Sequence, residues 1–228
     1  FSFVGAKLGY PDFRRLRVEA ERRAREKKRR AQGTGEVTLR EIWQELKRMT
    51  ALPPAEGMAA EREAEAALCR ANPYFLPVVV ELRRMGKELA LLSDMYLPGE
   101  FLQQLVEQAG FGRFSRCLVS GEAGVSKGEG GLFHRLREAY PPGTAFAHVG
   151  DHPLSDGARA REQGFVPFPY ENVHRAGGPF RAKDLSPLVG SVYRALVNRK
   201  LHNGRWEFSR AYEYGFVYGG LFALGYCR

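Results

Sequence analysis

The sequence predicts an α/β protein, a parallel sheet covered by helices and preceded by a helical unit, and three observations carry that prediction. Between residues 73 and 172, short apolar runs alternate with amphipathic helical stretches, the pattern of βαβ units. The first seventy residues show helical periodicity only. Polar residues able to do chemistry (a serine, a lysine and aspartates) fall at or just beyond the ends of the apolar runs, where open parallel sheets bind ligands. The predicted organisation is a helical unit over 1–72, an α/β core over 73–172, and a linker with a C-terminal helical extension over 173–228.

The elements follow in order. In the basic segment "RRLRVEAERRAREKKRR", Phe13, Leu16, Ala20 and Ala24 form a narrow apolar stripe. Glu19–Arg23, Glu21–Arg25 and Glu26–Arg30 sit four apart in the favoured order for an exposed helix. "GTGE" ends that helix at Gly33 and Gly35. Thr38 and Glu41 fit a capping box opening "LREIWQELKRM", whose Ile42, Leu46 and Met49 share a side. After Pro53-Pro54, "AEREAEAALCRA" continues as an alanine-rich helix to Asn72-Pro73.

From Pro73 the pattern changes. A helix through "YFLPVVVELRRM" stops at Gly86, and Leu89–Leu92 is the first strand. Pro98 opens "GEFLQQLVEQAG". "RCLVS", "AFAHVG" and "FVPFPY" read as further strands, with "LFHRLREAY" and "DGARAREQG" as the helices between them. "RAGGPFRAKDLSP" reads as a linker and "LVGSVYRALVNRKLHNG" as a helix ended by Asn203-Gly204. The last run, "AYEYGFVYGGLFALGYC", falls short of a membrane span, carries Glu213 and contains four glycines, so a buried or interface helix is predicted.

Of the net charge of +9, the segment Arg14–Arg30 alone contributes +7, from ten basic and three acidic residues. A phosphate-backbone patch and a solvated helix face both fit it, but no aromatics interleave to stack bases, so no specific nucleic-acid partner is predicted. Cys69, Cys117 and Cys227 are scattered, and an odd, unclustered set makes a poor disulfide framework; with no targeting peptide, they predict a reduced, cytoplasmic protein. The start "FSFVGAKLGYPDF", without an initiator methionine, and the end inside "FALGYCR" are expected of a fragment.

The candidate site comes from "LALLSDMYLP", "VSKGEGG" and "AHVGDHPLSD". A hydroxyl at Ser93, beside the free N–H groups at the end of a strand, can hold phosphoryl oxygens. Lys127 reads as the start of the helix "KGEGGLFHRL", where an ammonium opposes the macrodipole unless an anion lies beside it. Asp151 and Asp156 bracket a turn and offer hard oxygens of the kind Mg²⁺ takes. Singly, each has a plainer reading: a turn serine, a solvated lysine, or Asp156 as the N-cap of the next helix. His148 reads as a core or sheet-face residue; contact with substrate at a site mouth is the lesser of the readings open to His152. "GEGG" lacks the order of a nucleotide P-loop.

Together, "LALLSDMY", "VSKGEG" and "HVGDHPLSD" resemble motifs II, III and IV of the haloacid dehalogenase-like (HAD) hydrolase superfamily, mostly phosphatases, over roughly Asn72 to Tyr170. The resemblance implies a Rossmann-like core with a helical cap. It implies that Ser93, with the neighbouring Asp94, holds a phosphoryl group that Lys127 neutralises. It also implies that Asp151 ligates Mg²⁺, with Asp156 a direct or water-mediated second ligand. The superfamily's nucleophile, the first aspartate of an Asp-x-Asp strand, has no counterpart: Asp12 enters the basic helix and Asp184 lies in the linker. That strand is expected upstream of Phe1, so this chain is predicted inactive alone.

"SDMYLP", "SVYRALVNRKLHNG" and "YEYGFVYGGLFALGYC" further resemble the HAD-type module of bacterial surface-polysaccharide biosynthesis proteins. That implies a small phosphorylated substrate such as a sugar phosphate, and a fused or partner glycosyltransferase. Three readings therefore stand: a phosphohydrolase core, a non-catalytic module of the same fold, and a polyanion-binding module built on the basic helix.

Overall fold

The structure is a computed structural model that describes residues 1–69, 71–72 and 74–170. The predicted linker, the two C-terminal helices, Asp184 and Cys227 lie outside the described residues. The described chain is mixed α/β: helices at the N-terminus, then two small two-stranded sheets with helices between their strands. It forms two compact units. The first comprises Phe1–Cys69, Glu88–His148 and His152–Phe168, and the described part of the second comprises 71–72, 74–87, 149–151 and 169–170.

In the first unit, α1 (Ser2–Lys7) and α2 (Phe13–Gln32) are followed by α3 (Leu39–Met49) and α4 (Pro54–Leu68). α2 stops where Gly33 takes the left-handed φ of 74°, open to glycine without steric cost. α3 opens on the expected capping box: Thr38 Oγ1 accepts the Glu41 N–H at 3.3 Å, and Glu41 Oε2 accepts the Thr38 N–H at 2.7 Å. Pro54 occupies the first turn of α4, where its missing N–H costs nothing. These helices close around Trp43, which lies 5.7 Å from the Phe13 ring. Gly57 lets α4 approach so closely that a Cβ there would fall 1.8 Å from the indole.

The apolar stripe of α2 differs from expectation in one respect. Phe13, Arg17, Ala20 and Ala24 are the buried residues, and Leu16 is only half-buried. Spacings of four, three and four place Arg17 squarely on the inward face. Its guanidinium is fully buried; Nε donates to Glu61 Oε1 at 2.6 Å, an oxygen that also accepts Trp43 Nε1–H at 2.7 Å. The rings of Phe1 and Tyr96 lie 4.8 Å from it, a cation–π arrangement. On the outer face, Glu19–Arg23 and Glu21–Arg25 form as predicted, whereas Glu26 turns back to Arg22 instead of forward to Arg30.

β1 (Ala90–Ser93) and β2 (Arg116–Val119) pair in parallel, with Ser93 opposite Val119. α6 (Gly99–Gln108) connects them, and Leu97, Leu102 and Val119 enter the same core as the N-terminal helices. The loop after β1 is bonded to those helices, since the Leu39 N–H donates to Tyr96 O at 2.8 Å. β3 (Phe146–Gly150) pairs with β4 (Phe165–Pro169) in a separate sheet.

The parallel sheet, expected without its Asp-x-Asp strand, is present in the described residues as two separate two-stranded sheets. Among the described residues β1 and β3 share no ladder, although Ala90, Leu92, Leu118, Phe146 and Phe165 all meet one apolar cluster around Phe133 and Leu136.

In the second unit, α5 (Phe75–Arg84) ends before Gly86, whose φ is 68°. The rings of Tyr74 and Phe75 pack on Tyr170, whose hydroxyl accepts from Asn72 Nδ2 at 2.9 Å.

Removing one member of a buried ion pair typically costs about 3–5 kcal/mol, because the other charge is stranded. Arg17→Met should therefore lower unfolding stability by about that amount in urea titrations. The double variant Arg17→Met/Glu61→Leu should recover part of the loss. Gly57→Ala should cost about 1–3 kcal/mol by overpacking against Trp43. A fall of under half a kcal/mol in Arg17→Met would contradict the proposed role of the pair.

Candidate functional site

Ser93 closes β1, and its hydroxyl makes no hydrogen bond to a described residue. Asp94 follows, exposed, and its Oδ1 accepts the backbone N–H of Lys127 at 2.8 Å. That bond brings the end of the first strand against the turn that carries the lysine.

Lys127 itself is not at a helix N-terminus, which corrects the sequence reading. α7 (Ser120–Ala123) ends at Gly124, and Lys127–Gly130 form a turn in which the Gly130 N–H donates to Lys127 O at 2.9 Å. α8 (Gly131–Glu138) begins only after Gly130, whose φ of 82° breaks the chain direction. The turn is held by Ser126 Oγ, which accepts the Glu129 N–H at 3.1 Å, and by Arg159 Nε, which donates to Gly128 O at 3.1 Å. The macrodipole argument for an anion beside Lys127 therefore does not apply. The lysine's charge is met by a side chain instead.

That side chain is Asp156. After β3 the chain enters a π-helical segment, Pro153–Arg159, continued by α9 (Ala160–Glu162). Asp156 sits within it, 5 % exposed. Its Oδ1 accepts from Lys127 Nζ at 2.6 Å and from His148 Nε2 at 3.0 Å, and its Oδ2 accepts the His152 N–H at 3.0 Å. Burial alone would push this carboxyl's pKa up. The hydrogen bonds from His148 and Lys127, the Lys127 charge and the His152 N–H outweigh burial, and the group is held far below the usual carboxylate range. An ionised carboxylate only accepts, so His148 Nε2 must carry a proton.

Asp156 is thus not the cap of the helix that follows it. That role falls to His152, whose Nδ1 accepts the Ser155 N–H at 3.2 Å, so its ring is engaged with its own backbone. Asp151 directly follows β3 and belongs to the second unit, half-buried. Burial, with a further contribution from the Asp151 charge, raises the Tyr170 phenol above its ordinary value.

The structure therefore connects three of the predicted residues, Asp94, Lys127 and Asp156, in one hydrogen-bonded chain that begins beside Ser93. It adds His148 and Arg159, which sequence reasoning did not assign. Strand alternation puts His148 on the inward face with Phe146, and that was the available signal. For a divalent cation, Asp156 fits poorly as a direct ligand: three donors already occupy its oxygens, and one of them is an ammonium. No group of three His, Cys, Asp or Glu able to hold a metal occurs among the described residues.

No protein-family model matches the chain, and no curated protein matches it significantly. No helix among the described residues is long and apolar enough to cross a membrane.

The depressed Asp156 pKa carries a sign. An unfolded aspartate titrates near ~3.9. The stability Asp156 contributes is therefore fully present above about pH 5 and is lost as pH falls toward the folded value. Asp156→Asn should be clearly less stable than wild type at pH 6 to 7, and the gap should narrow steadily below about pH 4. Thermal melts of both proteins across that range check it, and a gap that widens on acidification would contradict the assignment.

Proposed function

We propose that this chain is the phosphoryl-binding core of a HAD-like phosphohydrolase. The observation that carries the reading is the Asp94–Lys127–Asp156 chain, in which a buried carboxylate holds the Lys127 ammonium and the Lys127 backbone N–H bonds the residue after Ser93. Buried ionic groups in strongly shifted states are more common at functional sites than elsewhere. Lys127 retains N–H donors beyond the one bonded to Asp156, and Ser93 offers a hydroxyl, so the pair can meet two oxygens of one phosphate.

The resemblance supplies the rest of the reaction. A carboxylate attacks phosphorus in line, the bond to the leaving oxygen breaks, and water then hydrolyses the aspartyl-phosphate. Ser93 and Lys127 hold and neutralise the transferring group. When bound, Mg²⁺ neutralises phosphate oxygens; it takes one or two carboxylates and fills its other positions with water and phosphate. Asp151 is proposed as its ligand on the resemblance alone. Asp156 is better suited to anchoring Lys127, so no step is routed through metal at that residue.

The sequence contains no Asp-x-Asp pair to supply the attacking carboxylate. A non-catalytic module of the same fold is therefore the second reading. The polyanion reading has less support, because α2 spends much of its charge on ion pairs: Arg22, Arg23 and Arg25 bond Glu19, Glu21 and Glu26, and Lys27 and Lys28 reach Glu45 and Glu41. Sugar phosphates as substrates, and a fused or partner glycosyltransferase, remain proposals from the resemblance.

The purified chain should show no turnover of p-nitrophenyl phosphate with Mg²⁺ but should bind inorganic phosphate. Lys127→Met should weaken that binding about tenfold, the scale of one charge-assisted hydrogen bond. Mg²⁺-dependent hydrolysis abolished by Asp151→Asn would refute the absence of a nucleophile. Phosphate affinity unchanged by Lys127→Met would refute the cradle.

A further inference from the structure

Resting on the phosphate reading of Lys127, we propose that His148 is a positioning residue that keeps the Lys127 ammonium available to an anion by sharing the Asp156 oxygen that holds it. At 2.6 Å, largely removed from water, Lys127 and Asp156 would by themselves make a closed ion pair, against which a ligand anion would have to compete. The structure does not leave them by themselves. His148 Nε2 donates to the same oxygen, Oδ1, at 3.0 Å, while the His152 N–H holds Oδ2.

Two donors on one oxygen compete for its lone pairs, so the ammonium's bond to Asp156 is weaker than it would be alone, while the carboxylate keeps its charge. Three donors on one carboxylate also fix its rotation, so the lysine has a single direction in which to be held and its other N–H groups a single direction to face.

The imidazole is itself restrained. Its ring stands edge-on to Phe133, with centroids 4.9 Å apart and planes at 86°, and Phe133 is fully buried and packs on Phe165 at 5.0 Å. His148 is only 12 % exposed, so its partner must come from the protein. The π-helical segment completes the device. π-helical turns are rare and concentrate at functional sites, and this one carries Asp156 to the strand residue eight positions earlier. His148 acts through Asp156 on Lys127.

The test uses inorganic phosphate as the probe in calorimetric titrations, with wild type and the variants His148→Phe, His148→Ala, His148→Gln and Lys127→Met. The histidine tautomer is read separately by long-range ¹H–¹⁵N correlation. The expected results are an Nε2–H tautomer and phosphate binding about tenfold weaker in the Phe and Ala variants. The Gln variant, whose amide can donate from nearly the Nε2 position, should stay much closer to wild type. The Ala variant keeps the test open if Phe disturbs folding. An Nδ1–H tautomer overturns the inference. So do Phe and Ala variants that bind phosphate like wild type while Lys127→Met does not, and that result leaves the phosphate reading standing. Equal, negligible binding by wild type and Lys127→Met overturns the phosphate reading and this inference with it.

Discussion

The buried carboxylate of Asp156 is the constraint on which the candidate site depends. A charged group removed from water is costly unless its oxygens are met, and three separate pieces of chain meet them here: the turn before α8, the inward face of β3, and the backbone at the start of the π-helical segment. The turn at Lys127–Gly130 is kept by Ser126 and Arg159, the strand by the Phe133–Phe165 cluster, and the segment by its His152 cap. The carboxylate fixes how they sit together, and so where the Lys127 ammonium bonded to it can point.

That dependence explains what could be read in advance. The strands at Ala90–Ser93, Arg116–Val119, Phe146–Gly150 and Phe165–Pro169, and the capped helix at Leu39–Met49, were legible because each is a local matter of apolar period and flanking residues. The aspartates of "GDHPLSD" and the lysine of "VSKGEGG" were legible as chemistry. Their arrangement was not. Whether Lys127 begins a helix or a turn is decided by the positive φ of Gly130, and whether Asp156 caps or anchors is decided by contacts 29 residues away in sequence. Arg17 shows the same limit. Its spacing marks it as inward-facing, but basic character argues for solvent until Glu61, 44 residues on, supplies the compensating charge.

The strands of the described residues form two small sheets, where the sequence reading expected a parallel sheet without its Asp-x-Asp strand. β1 and β3 line one apolar cluster yet exchange no ladder bonds among the described residues, so each keeps an edge of backbone donors and acceptors. Unpaired backbone groups kept from water cost roughly 1–3 kcal/mol each.

The N-terminal helices are packed against the loop that follows β1. Here Leu97, Leu102 and Val119 share one core with Trp43, Ile42 and Leu46, the Leu39 N–H holds Tyr96 O, and a Cβ on Gly121 would fall 2.4 Å from Val37 O. Sliding the helices away would expose that core and break the Arg17–Tyr96 contact at once. The loop carrying Asp94 is therefore braced from outside the sheet while Lys127 is braced through Asp156. Both Asp94 and Lys127 are fixed by the packing and hydrogen bonds of this unit, and an anion proposed to bind there would meet groups already in place.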